Sequence, residues 1–199
     1  MTARESLPET AQDSLRTIRE YHAAKRGVAA DPSALAEMLG AREARWKRRL
    51  ALSKTCPALI SMTLCVPLPY RTDQRGKELL RKAAHHLATE LLEAGFAPGE
   101  TEEADGADGL AVFLPCGKDA ESVKRFCVHM EEMLPYGRIL DLDVTKEGGT
   151  PVGRAEIGLP PRSCFLCGRP AAECVAGKRH TPPEVAAYVE NILQGEDRI

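Results

Sequence analysis

The chain has 199 residues, with 27 basic and 29 acidic side chains and a formal net charge of −2. This length allows one substantial core, or one domain with a small appended module. The nearly neutral balance gives no electrostatic reason to expect binding to nucleic acid or to an anionic membrane surface. Because the sequence has no run of about 18 apolar residues and does not start like a secretory signal, we expect a cytoplasmic protein.

The first part of the chain combines a polar segment with a predicted helix. Residues 1–30 are polar, and we expect a poorly packed extension. Asp31 followed by Pro32 is typical of a helix start and predicts a helix to about Lys54. Its apolar set is Leu35, Leu39, Trp46 and Leu50. Its basic run either faces solvent or docks an acidic partner, and consists of Arg42, Arg45, Lys47, Arg48 and Arg49.

The middle of the chain has the patterns of an α+β core. Apolar residues with helical spacing predict two helices, and short apolar or alternating runs predict strands. The predicted strands cover 59–66, 96–102 (a weak one), 110–114 and 139–144, and the helices cover 76–94 and 123–134. The order strand, helix, strand, strand, helix, strand is typical of a ferredoxin-like antiparallel sheet with both helices on one face. We therefore expect residues 31–158 to form one helix plus this core.

The last predicted strand has two carboxylates on one face. In this segment, here called the aspartate strand, Leu140, Leu142 and Val144 should face a core, whereas Ile139, Asp141 and Asp143 should face the other way. Two adjacent carboxylates can share one Mg²⁺ ion, as sites that act on phosphates do.

The residue before the strand strengthens this interpretation. Arg138, presented by a Pro-Tyr-Gly turn, is a fixed cation suited to phosphate oxygens. The alternative is a strand whose polar face is simply solvated, which is a common arrangement.

A second group of possible ligands lies near the C-terminus. Cys164, Cys167, Cys174 and His180, here called the Cys/His cluster, supply three thiolates and an imidazole. This is a complete tetrahedral set for Zn²⁺, and with no open position the zinc would be structural. The alternative is a set of reduced cysteines packed in a small subdomain. Thr181 and Glu184 then predict the cap of a final helix, so residues 159–199 are expected to form a Cys/His-rich subdomain with a helix.

Several motifs occur together over about residues 34–195. They are Leu39-x-x-Arg42-Glu43, Leu59-Ile60-Ser61 to Pro67-x-Pro69, Gly137-Arg138-x-x-Asp141-x-Asp143-Val144, and Leu159-Pro160-Pro161-Arg162 followed by the Cys/His cluster. In combination they resemble the citrate lyase holo-[acyl-carrier-protein] synthase family, the apo-citrate lyase phosphoribosyl-dephospho-CoA transferases.

This resemblance implies a nucleotidyltransferase-type enzyme. A serine of the citrate lyase acyl carrier protein would attack triphosphoribosyl-dephospho-CoA, forming a phosphodiester and releasing pyrophosphate. Asp141 and Asp143 would hold Mg²⁺ against the triphosphate, and Asp143 is also a candidate base. The oxygens of the leaving group would be neutralised by Arg138, Arg71, Arg154, Lys178 and Arg179.

Two positions depart from the family pattern. Leu68 stands where a glycine is expected between two prolines, and Leu134 stands where a histidine is expected. These departures motivate an alternative, a non-catalytic module that binds the carrier protein or CoA. Arg138 with the aspartate pair is also similar to a motif of hydroxymethyl-dihydropterin pyrophosphokinases, which gives a second alternative, a small-molecule pyrophosphokinase.

Overall fold

The computed structural model describes residues 32–196, so the predicted extension 1–30 and the predicted N-cap Asp31 lie outside the described residues. The chain is an α+β protein, as predicted. Its helices are α1 (Pro32–Leu52), α2 (Leu68–Thr72), α3 (Gln74–Glu93), α4 (Ala120–Met133), α5 (Ala171–Ala176) and α6 (Pro182–Glu196). Its strands are β1 (Ala58–Leu64), β2 (Glu102–Gly106), β3 (Gly109–Cys116), β4 (Leu140–Lys146) and β5 (Pro151–Val152).

The strands form one sheet in the order β2-β3-β1-β4-β5, and each neighbouring pair is antiparallel. From β1 to β4 the chain follows the predicted succession of strands and helices, with α2 as an addition before α3. The weak strand predicted at 96–102 is misplaced, because β2 begins only at Glu102.

The charged composition of β2 explains why the prediction missed its position. The acidic side chains of β2 are balanced by bases of α3, since Glu103 Oε2 lies 2.8 Å from Arg81 Nη2 and Asp105 Oδ2 lies 2.6 Å from Lys77 Nζ. The strand is therefore held by its pairing with β3 and by ion pairs, and it lacks the apolar alternation that identifies a strand in a sequence.

The sheet is covered on both faces. One face carries the main core, to which α3, α4 and α6 contribute apolar side chains such as Leu87, Val123 and Val189. The other face carries a smaller cluster that includes Leu59 and Phe113, with Leu52 of α1 packed against it. Because β1 is central and covered on both sides, nearly all of its residues are buried, and these include the polar Ser61.

The orientation of α1 differs from the prediction. Leu35, Leu39 and Trp46, expected in its apolar set, are 48%, 56% and 52% exposed. The helix instead turns Ala41 toward Gly106. The two residues are so close that a Cβ atom added to Gly106 would lie 2.8 Å from the Cβ of Ala41. Arg45 pairs with Asp108 on the same side. A small side chain and ion pairs thus set the rotation of α1 against the sheet.

The C-terminal helix belongs to the main core. Ala186, Val189 and Leu193 of α6 are buried there, and Arg75 of α3 lies 2.9 Å from the buried carboxylate of Glu190. The predicted cap is present, because the Thr181 N–H donates to Glu184 at 2.7 Å. None of the helices within residues 32–196 combines the length and apolarity that crossing a bilayer requires.

Candidate active site at the aspartate strand

The aspartate strand is β4, and its carboxylates lie on the face away from α3 and α4. Leu142 and Val144 are buried in the main core, as predicted. Asp141, which is partly exposed, and Asp143, which is exposed, occupy the alternate positions, directly opposite Thr63 and Ser61 of β1. The prediction for Ile139 is wrong. That residue ends a 3₁₀ turn before the strand and is 0% exposed in the main core, since the alternation starts only at Leu140.

Burial and neighbouring charges act on the carboxyl group of Asp141. Partial burial raises the pKa of the Asp141 carboxyl above its ordinary value, the charge of Asp143 raises it further, and Arg162 opposes both. Two anions held this close repel one another, and the Asp141 side chain is 45% exposed, so a cation can reach it. Binding of a divalent cation would relieve this repulsion.

A buried hydroxyl lies beside the pair. Ser61, opposite Asp143, is 8% exposed, and no described residue offers its Oγ a hydrogen bond. Buried polar atoms are nearly always satisfied, so an unpaired hydroxyl calls for a partner that the protein chain does not supply. Two carboxylates and a hydroxyl form an all-oxygen donor set, which fits a hard cation such as Mg²⁺.

The outer edge of β4 is completed by side chains. Strand β5 pairs only with Val144 and Thr145, which leaves the earlier part of the edge without a neighbouring strand. There, Lys124 of α4 donates to the Leu142 carbonyl at 2.7 Å. The Leu142 N–H donates to Glu131 at 3.0 Å.

Arg162 completes the same edge from the other end of the chain. Its Nη2 donates to the carbonyl of Arg138 at 2.9 Å and to that of Leu140. Its Nη1 lies 3.3 Å from Asp141 and 3.8 Å from Glu131. These edge residues were not predicted to belong to the site. Arg162 was visible within the Leu-Pro-Pro-Arg motif, but Lys124 and Glu131 carry no signal beyond their place on an amphipathic helix.

The predicted basic residues occupy different surroundings. Arg138 lies in the 3₁₀ turn, and its guanidinium donates to the Ser163 carbonyl at 2.8 Å. Arg154 is largely buried and lies 2.6 Å from Glu131, so its charge is balanced. Arg71 of α2 packs beside Gly109, at the same end of the sheet as Asp141. Lys178 and Arg179 are exposed between α5 and α6.

The Cys/His cluster is assembled in space. The possible ligand atoms of Cys164, Cys167, Cys174 and His180 all lie within 4.8 Å of one another. Cys164 Sγ is 3.4 Å from His180 Nε2, and Cys167 Sγ is 3.5 Å from Cys174 Sγ. In a tetrahedral site with metal–sulfur bonds of about 2.3 Å, sulfurs lie about 3.8 Å apart. The cluster therefore could hold a metal ion such as zinc.

Local backbone structure shapes this cluster. The N–H of Leu166 donates to the Cys164 sulfur at 3.4 Å, and Gly168 adopts a φ of 73°, which favours glycine. Hydrogen bonding from the Arg169 N–H and then from Cys174 lowers the pKa of the Cys167 thiol to about 7. A thiolate is the form that binds metal.

The cluster is also tied to its surroundings. Phe165, between two of the cysteines, stacks on Tyr188 of α6 with ring centroids 4.7 Å apart. On the other side, Ser163 accepts the hydrogen bond from Arg138. The loop thus connects the C-terminal helix to the start of the aspartate strand.

Comparison with known proteins identifies relatives over most of the chain. Residues 33–196 match the family model of the apo-citrate lyase phosphoribosyl-dephospho-CoA transferases. A curated protein of that name from Citrobacter koseri is 32% identical over 166 residues, which cover 81% of this chain and 88% of the relative. One from Escherichia coli (strain UTI89 / UPEC) is 28% identical over 162 residues, with the same coverage of 81% and 88%.

Proposed function

The chain belongs to the apo-citrate lyase phosphoribosyl-dephospho-CoA transferase family, and from this premise we propose that it loads the citrate lyase acyl carrier protein with its prosthetic group. The substrate is triphosphoribosyl-dephospho-CoA, and the acceptor is a serine of the carrier protein. The observation that carries the proposal is the carboxylate pair of Asp141 and Asp143 beside the unpaired hydroxyl of Ser61.

The reaction is a displacement at phosphorus. The serine oxygen forms a bond to the phosphorus nearest the ribose, the bond from that phosphorus to the pyrophosphate oxygen breaks, and pyrophosphate leaves with the electron pair. The serine proton passes to a base, for which Asp143 is the exposed candidate within the pair. The product is a phosphodiester on the carrier protein.

The aspartates provide the binding site for the cation. Asp141 and Asp143 would hold Mg²⁺, with Ser61 as a further oxygen ligand. When bound, the ion screens the charges of the triphosphate and polarises the reacting phosphorus. A bound cation would favour the ionised form of Asp141, whose pKa burial and Asp143 raise.

Basic side chains stabilise the negative charge that develops on the leaving pyrophosphate. Arg138 is adjacent to the aspartate strand, and Arg71 lies at the same end of the sheet. Lys178 and Arg179 are exposed and free to meet the distal phosphates. Arg154 would have to exchange its pairing with Glu131 for a phosphate, so its contribution is the smallest of this group.

The Cys/His cluster serves a structural purpose in this proposal. Three thiolates and one imidazole fill all four positions of a tetrahedral zinc, which leaves none for a substrate. The distances between Cys164 and His180 and between Cys167 and Cys174 support such a site. The zinc would fix the fold of the loop and take no part in the chemistry.

A non-catalytic module that binds the carrier protein or CoA is the second candidate. The observation that favours it concerns Leu134, which is packed against the main core where relatives are expected to have a histidine. An apolar side chain there cannot transfer a proton. Binding of the carrier protein without release of pyrophosphate would support this module in place of the transferase.

The test is an intact-mass spectrum of the apo carrier protein after incubation with this protein, Mg²⁺ and triphosphoribosyl-dephospho-CoA. We expect a mass gain equal to the precursor less pyrophosphate, lost on chelation of Mg²⁺. Asp141→Asn and Asp143→Asn should abolish the gain and leave the circular dichroism unchanged. Asp105→Asn, on the exposed edge strand, is the matched control and should retain activity. Full activity in both active-site variants would refute the assignment.

A further inference from the structure

We propose that Arg162 is the positioning residue of the aspartate strand and that the Cys/His cluster holds Arg162 in place. The inference deepens the proposed function and rests on it, because it takes the aspartates as the site and the cluster as a metal site. Arg162 does not contact the reacting atoms in this scheme. It sets the position of the groups that do.

One guanidinium, that of Arg162, satisfies several acceptors at once. Arg162 donates to the carbonyl oxygens of Arg138 and Leu140, at the start of β4. The same side chain also reaches Asp141 at 3.3 Å and Glu131 at 3.8 Å. A planar fork with five donors can make these contacts at once, whereas a lysine ammonium cannot.

These contacts lie where the outer edge of the strand is open. Because β5 pairs only with Val144 and Thr145, the carbonyls at the start of β4 have no neighbouring strand. On its other side β4 is paired with β1, but a strand end whose outer edge is unpaired frays more readily. Arg162 supplies the missing donors at the position from which Asp141 projects, and it holds one oxygen of that carboxylate while the other stays available.

Arg162 is itself held by the segment that follows it. Its carbonyl accepts a hydrogen bond from the N–H of Ala171 at 2.8 Å, and Ser163 forms a bridge with Pro170. These pairings close a short hairpin whose tip contains Cys164 and Cys167. A metal bound by those two cysteines, Cys174 and His180 would clamp the hairpin closed.

The hairpin also restrains Arg138, the cationic residue that precedes the strand. Ser163, between Arg162 and Cys164, accepts the hydrogen bond of Arg138 at 2.8 Å. One short segment therefore fixes Asp141 through Arg162 and Arg138 through Ser163. Loss of the cluster should loosen both sides of the site without removing any of its charged groups.

The first experiment measures the strand directly. Hydrogen–deuterium exchange of the peptide that contains residues 139–143 is compared between wild type, Arg162→Met, Arg162→Lys and the control Arg169→Gln, which changes an exposed arginine of the same hairpin. We expect exchange to become about tenfold faster in Arg162→Met and less so in Arg162→Lys. Exchange in Arg169→Gln should match wild type. Unchanged exchange in a folded Arg162→Met variant would overturn the inference.

The second experiment tests the connection to the cluster. Cys167→Ser is the variant of choice because Cys167 is the exposed member of the set. We expect zinc content to fall and exchange of residues 139–143 to rise, while β1 and β3 keep their protection. Wild-type exchange in a protein that has lost its zinc would refute the connection.

Activity then separates positioning from binding. In Arg162→Met we expect kcat to fall by about tenfold or more with the KM for the precursor nearly unchanged. In Arg162→Ala, which leaves space for the group that is removed, added ethylguanidinium should restore part of kcat. If the wild type proves inactive in the mass assay, the exchange experiments still decide the inference, so failure of the proposed function and failure of this proposal are distinguishable.

Discussion

Replacing Glu131 by alanine should destabilise the protein by about 4 kcal/mol, although this residue was not predicted to bind a metal ion or the substrate. Glu131 is 4% exposed. One of its oxygens accepts the Leu142 N–H at 3.0 Å, and the other lies 2.6 Å from Arg154. Removal would leave a strand amide and a largely buried guanidinium without their main acceptor.

The magnitude follows from these two losses. Breaking a buried ion pair by removing one partner costs about 3–5 kcal/mol, and an unsatisfied buried N–H costs about 1–3 kcal/mol. The losses are not additive, because Glu132 lies 3.4 Å from Arg154 and can take over part of its pairing. A value of about 4 kcal/mol corresponds to a fall in Tm of about 8–16 °C for a chain of this size.

Urea unfolding followed by circular dichroism measures this cost. The matched control is Glu132→Ala, which removes an exposed carboxylate from the same arginine and should cost less than about 1 kcal/mol. Glu131→Gln keeps an acceptor for Leu142 and should fall between the two. Equal losses for Glu131→Ala and Glu132→Ala would refute the argument that burial makes the first residue important.

Three further predictions concern the proposed metal sites and the titration of Asp141. Ser61→Ala should leave the free energy of unfolding unchanged or slightly higher, because it removes an unpaired buried hydroxyl. The same substitution should weaken Mn²⁺ binding by about tenfold in a titration followed by electron paramagnetic resonance. Unchanged binding would exclude Ser61 as a ligand. Protein purified without added zinc should contain about one equivalent by metal analysis, and a content below about a tenth, with freely titratable thiols, would mean a merely packed cluster. Burial and Asp143 raise the pKa of Asp141 in the folded protein above its value in the unfolded chain. Ionisation of Asp141 therefore destabilises the folded state as the pH rises above the unfolded pKa, and the destabilisation is complete above the folded pKa. Asp141→Asn should therefore raise the unfolding midpoint at neutral pH without Mg²⁺, and this gain should vanish below the unfolded pKa; a gain independent of pH would contradict the assignment.

The sequence predicted those features whose signal is local. The alternation of Leu142 and Val144 with the two aspartates follows from the period of a strand, and it is confirmed. The Cys/His cluster was also predictable, because the chemistry and spacing of the four side chains define the group without knowledge of the fold. Ile139 was misjudged because a 3₁₀ turn precedes the strand and breaks the period.

Features that depend on tertiary contacts could not be predicted in this way. Arg162 lies 22 positions from its partner Leu140, and Glu131 lies 11 positions from its partner Leu142. The residues next to them in the sequence do not indicate that this edge of β4 lacks a neighbouring strand. The rotation of α1 was misjudged for the same reason. A reading of its apolar residues places Trp46 inside, whereas the pair between Arg45 and Asp108 turns the helix the other way.

The ion pairs along β2 also affect the behaviour of the protein at high concentration. Among the described residues, β2 has no strand on its outer side, and such an edge can recruit a strand from another molecule. A row of charged side chains lines this edge, formed by the ion pairs of Glu103 with Arg81 and of Asp105 with Lys77. An approaching copy would have to desolvate this row, so the edge resists self-association at low ionic strength, and concentrated salt, which screens these charges, should weaken that protection.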